Sequence, residues 1–128
     1  MRIYKRLIEI AYALEPKYRV GRCFHVAFIT KGSKIISIGW NSHKSHPENL
    51  RHEGYRFDSG THAELSAVLK GGKQDYSGYR IFVIRIDRNG KVAMSKPCCG
   101  CQSVCRQLNF KTVYYSGKDG ELCRLESK

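Results

Sequence analysis

Apolar positions recur at helical spacing near the N-terminus, where Ile3, Leu7, Ile10 and Leu14 form one stripe with Lys5, Arg6 and Glu9 off it. This predicts an amphipathic helix over 2–14 that packs on a core and that Pro16 ends, because proline cannot continue the hydrogen-bond ladder. The period then changes. Residues 24–29 and 35–40 read as strands, and Lys31-Gly32-Ser33 between them as a short turn, so an antiparallel hairpin is predicted. A long polar stretch over 41–61 follows, rich in His, Gly, Asn and Arg, and loops of that length in compact domains usually carry function or move. Residues 62–70 predict a helix with Ala63, Leu65, Ala67, Val68 and Leu69 on a broad apolar face, stopped by Gly71-Gly72. Residues 79–86 predict a third strand, ended by the turn signal Asp87-Arg88-Asn89-Gly90. A helix over 98–108 starts after Pro97, and a fourth strand over 112–116 should lie parallel to the third, since a helix connects them. The last dozen residues, with Asp119-Gly120, suit either an edge element or a frayed end. The order α-β-β-α-β-α-β describes an α/β chain with helices on the faces of a sheet.

Composition narrows the class. At 128 residues the chain has the size of one compact domain, spanning 1–128. Hydrophobic residues make up 41% and aromatics 11%, too apolar for a disordered basic tail. No run of about 18 apolar residues occurs, which excludes a helical membrane span. The start, MRIYKRLIEI, lacks the apolar region and cleavage site of a signal peptide, so a cytoplasmic chain is expected. The net charge is +12, from 23 Lys and Arg against 11 Asp and Glu. Such a surplus concentrates anions, and a polyanion benefits most because each neutralised phosphate releases counterions. Charge alone does not separate a mononucleotide from a polymer, and a solvated basic surface is the plain alternative.

Four of the six cysteines, Cys98, Cys99, Cys101 and Cys105, fall within one short segment; Cys23 and Cys123 stand apart. In a cytosolic chain such a cluster points to metal binding rather than disulfides. Two motifs carry the chemistry: His62-Ala63-Glu64 at one helix start and Pro97-Cys98-Cys99-Gly100-Cys101 at the next. Imidazole nitrogen and thiolate sulfur are zinc ligands, and Cys-x-x-Cys lets two thiolates reach one ion. His62, Cys98 and Cys101 would supply three ligands and leave the fourth tetrahedral position for water. Glu64, two residues after His62, points elsewhere on a helix, so it suits proton transfer better than ligation.

This pairing, His62-Ala-Glu64 followed by Pro97-Cys98-x-x-Cys101, resembles the zinc-dependent cytidine/deoxycytidylate deaminase superfamily. The resemblance covers roughly 20–118, and Asn41-Ser42-His43-Lys44-Ser45-His46-Pro47 with Met94-Ser95-Lys96-Pro97 is most similar to small single-domain phage and deoxycytidylate-deaminase-like members. It implies a three-layer sandwich with a mixed sheet of about five strands and helices on both faces. It also implies Zn2+ on His62, Cys98 and Cys101, with metal-activated hydroxide attacking C4 of cytosine. Glu64 would then pass protons to the ring nitrogen and to departing ammonia. Ala63 would grip the base through its N–H, carbonyls around Ser95, Lys96 and Pro97 would take the exocyclic amine, and Asn41 would touch sugar or base; a local turn bond is the alternative for Asn41. Lys44, Arg51 and Arg56 suit phosphate contacts, and Tyr115 suits the pocket if Tyr114 faces the core. Trp40, Tyr55 and Phe57 could stack on a base, though Trp40 suits the core by strand position.

Cys99 with Cys101 is a competing ligand pair, disfavoured by the geometry of a helix start. Cys105 reads as a free buried thiol, and Cys23 and Cys123 as small buried hydrophobes. His43, His46 and His52 admit a second, structural zinc with Glu48, Glu53 or Cys23, against the plainer reading of a polar loop facing substrate. The expected substrate is a deoxycytidine nucleotide of the deoxycytidylate type. The alternatives are cytosine, less so adenine, in single-stranded DNA or RNA, and a catalytically idle zinc-containing nucleic-acid-binding module. Members of the superfamily are often oligomeric, so a homo-oligomer is admitted; if the chain is viral, the compartment is the host cytoplasm.

Overall fold

The computed structural model describes residues 1–19, 23–42 and 62–125. The elements run α1 (Arg2–Tyr18), β1 (Phe24–Lys31), β2 (Lys34–Trp40), α2 (Ala63–Gly71), β3 (Arg80–Ile86), β4 (Val92–Ala93), α3 (Cys99–Gln107), β5 (Thr112–Ser116) and β6 (Leu122–Arg124). They build a six-stranded mixed sheet in the order β2-β1-β3-β5-β6, with β4 paired to the end of β3 beyond β5. β1 is antiparallel to both its neighbours, and β3 and β5 are parallel. Among the described residues no helix is long and apolar enough to cross a membrane.

The sheet is covered on both faces because its central strands are apolar on both sides. Phe24, Val26 and Phe28 of β1 with Phe82, Ile84 and Ile86 of β3 pack against Tyr4, Leu7 and Ala11 of α1. The alternate residues, Ala27, Ile29, Ile81 and Val83, pack against Ala63, Leu65, Ala67 and Val68 of α2 and Val104 and Cys105 of α3. Both helices that begin at a chemical motif therefore lie on the same face.

Several expectations are corrected. The first helix does not stop at Leu14 but runs through Pro16 to Tyr18. Pro16 forfeits its own N–H bond to the preceding turn, and the turn around it is held by other contacts: Arg19 N–H donates to Glu15 O, its guanidinium pairs with the Glu15 carboxylate at 2.6 Å, and Tyr18 stacks on Trp40 at 4.1 Å. The mixed sheet of about five strands is present with six, since two short strands, β4 and β6, follow turns at Gly90 and Gly120 whose φ of 79° and 82° favour glycine. Helices α2 and α3 begin one residue later than the apolar pattern suggests, so His62 and Cys98 are N-caps in extended conformation. Cys23 and Cys123 are half-buried rather than enclosed, and Trp40 is likewise half-buried.

The seat of α2 depends on a close backbone approach. Ser37 Oγ donates to Ala67 O at 2.7 Å, and a Cβ on Gly39 would lie 2.1 Å from Ala67 N and 2.6 Å from Ala63 O. Both obstacles are backbone, so the helix must shift. Gly39→Ala is expected to cost about 1–3 kcal/mol of stability by overpacking, read as a lower midpoint in chemical denaturation. An unchanged midpoint would show that α2 is not clamped against β2.

Candidate metal centre

α2 and α3 start side by side at one end of the sheet, which brings their N-caps together. His62 Nδ1 lies 3.4 Å from Cys98 Sγ and 3.3 Å from Cys101 Sγ, and the three donor atoms lie within 4.8 Å of one another. Ligands on a tetrahedral zinc at usual bond lengths are about 3.6 Å apart, so one imidazole and two thiols at this spacing fit that ion. Cys101 is buried, His62 half-buried and Cys98 exposed, which leaves the cluster open on the Cys98 side. Cys99 is exposed and stands outside the three-atom cluster, so the competing Cys99/Cys101 pair is not the one assembled.

Electrostatics favour thiolate here. Hydrogen bonding with the Cys101 thiol, then His62 and the Cys101 N–H, draws the Cys98 thiol down to about 4 against the opposing effect of burial. The bond to Cys98 raises His62 above its ordinary value, again against burial. A helix N-terminus adds its partial positive charge to both positions.

Glu64, in the first turn of α2, is 5% exposed. Burial pushes its carboxyl above the usual carboxylate range, while hydrogen bonds from its own N–H and from Cys101, and the nearby His62, pull the other way. It is absent from the three-atom donor cluster. A buried carboxyl beside a metal-ligand cluster is suited to accept and return a proton. Cys105 is buried as expected, and burial, with the Glu64 charge next, raises its thiol well above the ordinary range.

The chain leading into Cys98 is pinned. Ser95 is buried; its Oγ lies 2.6 Å from Val83 O and accepts from Ser116 N–H at 2.8 Å, while its N–H donates to Ser116 O at 2.9 Å. Pro97 is buried and its carbonyl accepts from Gln102 Nε2 at 2.8 Å; Lys96 is exposed. Ala63 is buried at the first position of α2. Asn41 is bound locally: Oδ1 accepts from His25 N–H at 2.9 Å and Nδ2 lies 3.4 Å from Cys23 O. Tyr114 stacks on Phe82 at 4.8 Å on the α1 face, and Tyr115 packs on the opposite face, shared with α2 and α3. Lys44, Arg51, Arg56, Tyr55, Phe57 and the histidines 43, 46 and 52 lie outside the described residues, as do Glu48 and Glu53.

Two polar residues at this end of the sheet were not singled out by sequence reasoning. His25 on β1 and Arg85 on β3 are register partners. Burial, then the positive charges of Arg85 and His62, lower His25 to about 4. Their signal was available: each is a polar residue flanked by apolar ones within its strand, near the end that meets the motifs.

The family model for the cytidine and deoxycytidylate deaminase zinc-binding region matches residues 1–117. No curated protein sequence matches this chain. Among solved structures, the apo dCMP deaminase of cyanophage S-TIM5 is similar at 19% identity, over 91% of this chain and 84% of that one, with a TM-score of 0.59. The same enzyme in complex with dCMP and dUMP aligns at 20% identity over 91% and 82%, with a TM-score of 0.56. The cytidine deaminase of Burkholderia pseudomallei aligns at 20% identity over 95% and 91%, with a TM-score of 0.60. At these identities the structural likeness speaks for the fold.

Proposed function

Given that this chain belongs to the cytidine and deoxycytidylate deaminase family, we propose that it is a zinc-dependent hydrolase converting cytosine to uracil on a deoxycytidine nucleotide of the dCMP type. The observation that carries this reading is the convergence of His62, Cys98 and Cys101 with Glu64 buried beside them. The reaction consumes one water and releases one ammonia. His62 Nδ1, Cys98 Sγ and Cys101 Sγ would hold Zn2+, which when bound would lower the pKa of water toward neutrality and make hydrolysis feasible near pH 7. Glu64 takes a proton from the attacking water, delivers it to the ring nitrogen, and later passes one to the departing amine. The same carboxyl must change state twice, which suits a group that burial holds above its ordinary range.

Ala63 grips the base through its backbone N–H, and the carbonyls of the Ser95-Lys96-Pro97 segment accept from the exocyclic amine. The Ser95 network supports that role by holding the segment against β3 and β5. Asn41 acts on the sugar or base from the end of β2, and Tyr115 lines the pocket. Lys44 and Arg56 contribute phosphate contacts. The nucleotide substrate is supported by the similar fold of a phage dCMP deaminase that binds dCMP and dUMP.

A second reading, cytosine within a single strand, is favoured by the charge of +12 together with the single ion pair, Glu15–Arg19, among the described residues. Ammonia release from dCMP, deoxycytidine and a cytosine-containing oligonucleotide, with zinc content measured alongside, separates the readings. We expect dCMP turnover by the zinc-loaded protein. Turnover of the oligonucleotide alone would transfer the assignment to the polymer. Stoichiometric zinc, oligonucleotide binding and no ammonia from any substrate would leave a binding module.

A further inference from the structure

His25 and Arg85 face each other in register across β1 and β3. On both strands the alternate residues, Ala27 and Ile29 on one and Ile81 and Val83 on the other, belong to the core beneath α2 and α3. The pleat therefore sends His25 and Arg85 to that same face, at the strand ends beside His62 and the segment leading into Cys98.

The guanidinium of Arg85 is poorly provided for. Nη2 lies 3.0 Å from Cys23 Sγ, Nη1 is 3.5 Å from Met94 O, and Nε is buried without a hydrogen-bond partner. Among the described residues no carboxylate forms an ion pair with it; the nearby Asp87 instead accepts from the backbone N–H groups of Asn89 and Lys91. A guanidinium is permanently charged and carries five donors in a rigid fork, so a half-buried one served by a thiol and one long carbonyl contact has capacity unused. Such a fork is matched by a phosphate, which accepts two parallel charge-assisted bonds.

Resting on the nucleotide reading above, we propose that Arg85 is a phosphate-recognition residue of the substrate site, in a subsite walled by His25 and Cys23. The sulfur of Cys23 is a weak acceptor that a phosphate oxygen readily displaces. The subsite would discriminate nucleotide from nucleoside, a distinction the metal cluster cannot make because it acts on the base.

The test uses the zinc-loaded full chain and the variants Arg85→Gln and Arg85→Lys, each checked for an intact thermal transition. The ratio of kcat/KM for dCMP to that for deoxycytidine should fall at least tenfold in R85Q, mainly through KM, and by a smaller factor in R85K, which keeps charge but loses the fork. Calorimetric titration with inorganic phosphate should show binding to the parent that weakens at least tenfold in R85Q. Equal losses on both substrates, or phosphate affinity unaffected by either substitution, would overturn the subsite and leave Arg85 as a brace for Cys23 and Met94. If R85Q fails to fold, R85K decides by the same two ratios. Phosphate binding that depends on Arg85 in a chain that deaminates nothing would sustain the subsite and remove the deaminase reading instead.

Discussion

Replacing Glu64 with glutamine is expected to reduce ammonia release by at least about 10³-fold, within the range for loss of a positioned general acid–base, while zinc content stays that of the parent. The substitution is close to isosteric, so it opens no cavity in a residue that is 5% exposed. It keeps a polar group for the bonds from its own N–H and from Cys101. What it removes is the ability to hold and release a proton, and a 10³-fold loss corresponds to about 4 kcal/mol of transition-state stabilisation. Stability should not fall with activity. The parent bears the cost of a carboxyl forced into a desolvated site, so the variant should melt at the same temperature or above. Ammonia release, zinc analysis and a thermal melt on one preparation check all three. Activity within tenfold of the parent would remove Glu64 from the proton path.

The second large effect concerns the ligands. Cys101→Ala should lose zinc to a mild chelator and lose turnover with it, by a larger factor than the 10–100-fold typical of altering a residue that only supports a ligand. Cys101 Sγ lies 3.3 Å from His62 Nδ1, its N–H donates to Cys98 Sγ at 3.5 Å and its thiol bonds Glu64, so the substitution removes one of the three donor atoms of the cluster. Cys99→Ala is the matched control: it removes a neighbouring sulfur from an exposed position outside the donor cluster. It should retain zinc and turnover. Loss of zinc from the Cys99 variant with retention in the Cys101 variant would reverse the assignment of the Cys-x-x-Cys.

Alternation and spacing located each element longer than three residues among the described ones, because burying one face leaves a periodic trace in composition. Element ends were less legible. Pro16 is a stop signal by its missing N–H, yet contacts from Arg19 and Tyr18 carry α1 past it. β4 has two residues and β6 three, too short for a period to register, and they form because turns deliver them to strands already in place.

The chain by itself singled out the candidate metal-binding set, one histidine and two cysteines, with a glutamate set apart from them, at spacings that helix starts can present. Only the tertiary structure decided how close the pieces come. Gly39 admits the backbone of α2 through the lack of a Cβ, and Ser95 is held through a partner, Ser116, far along the chain. His25 and Arg85 stand opposite each other because β1 and β3 pair in one register. Those relations depend on which strands become neighbours. That choice comes from the summed burial of both sheet faces, and no local stretch of sequence encodes it.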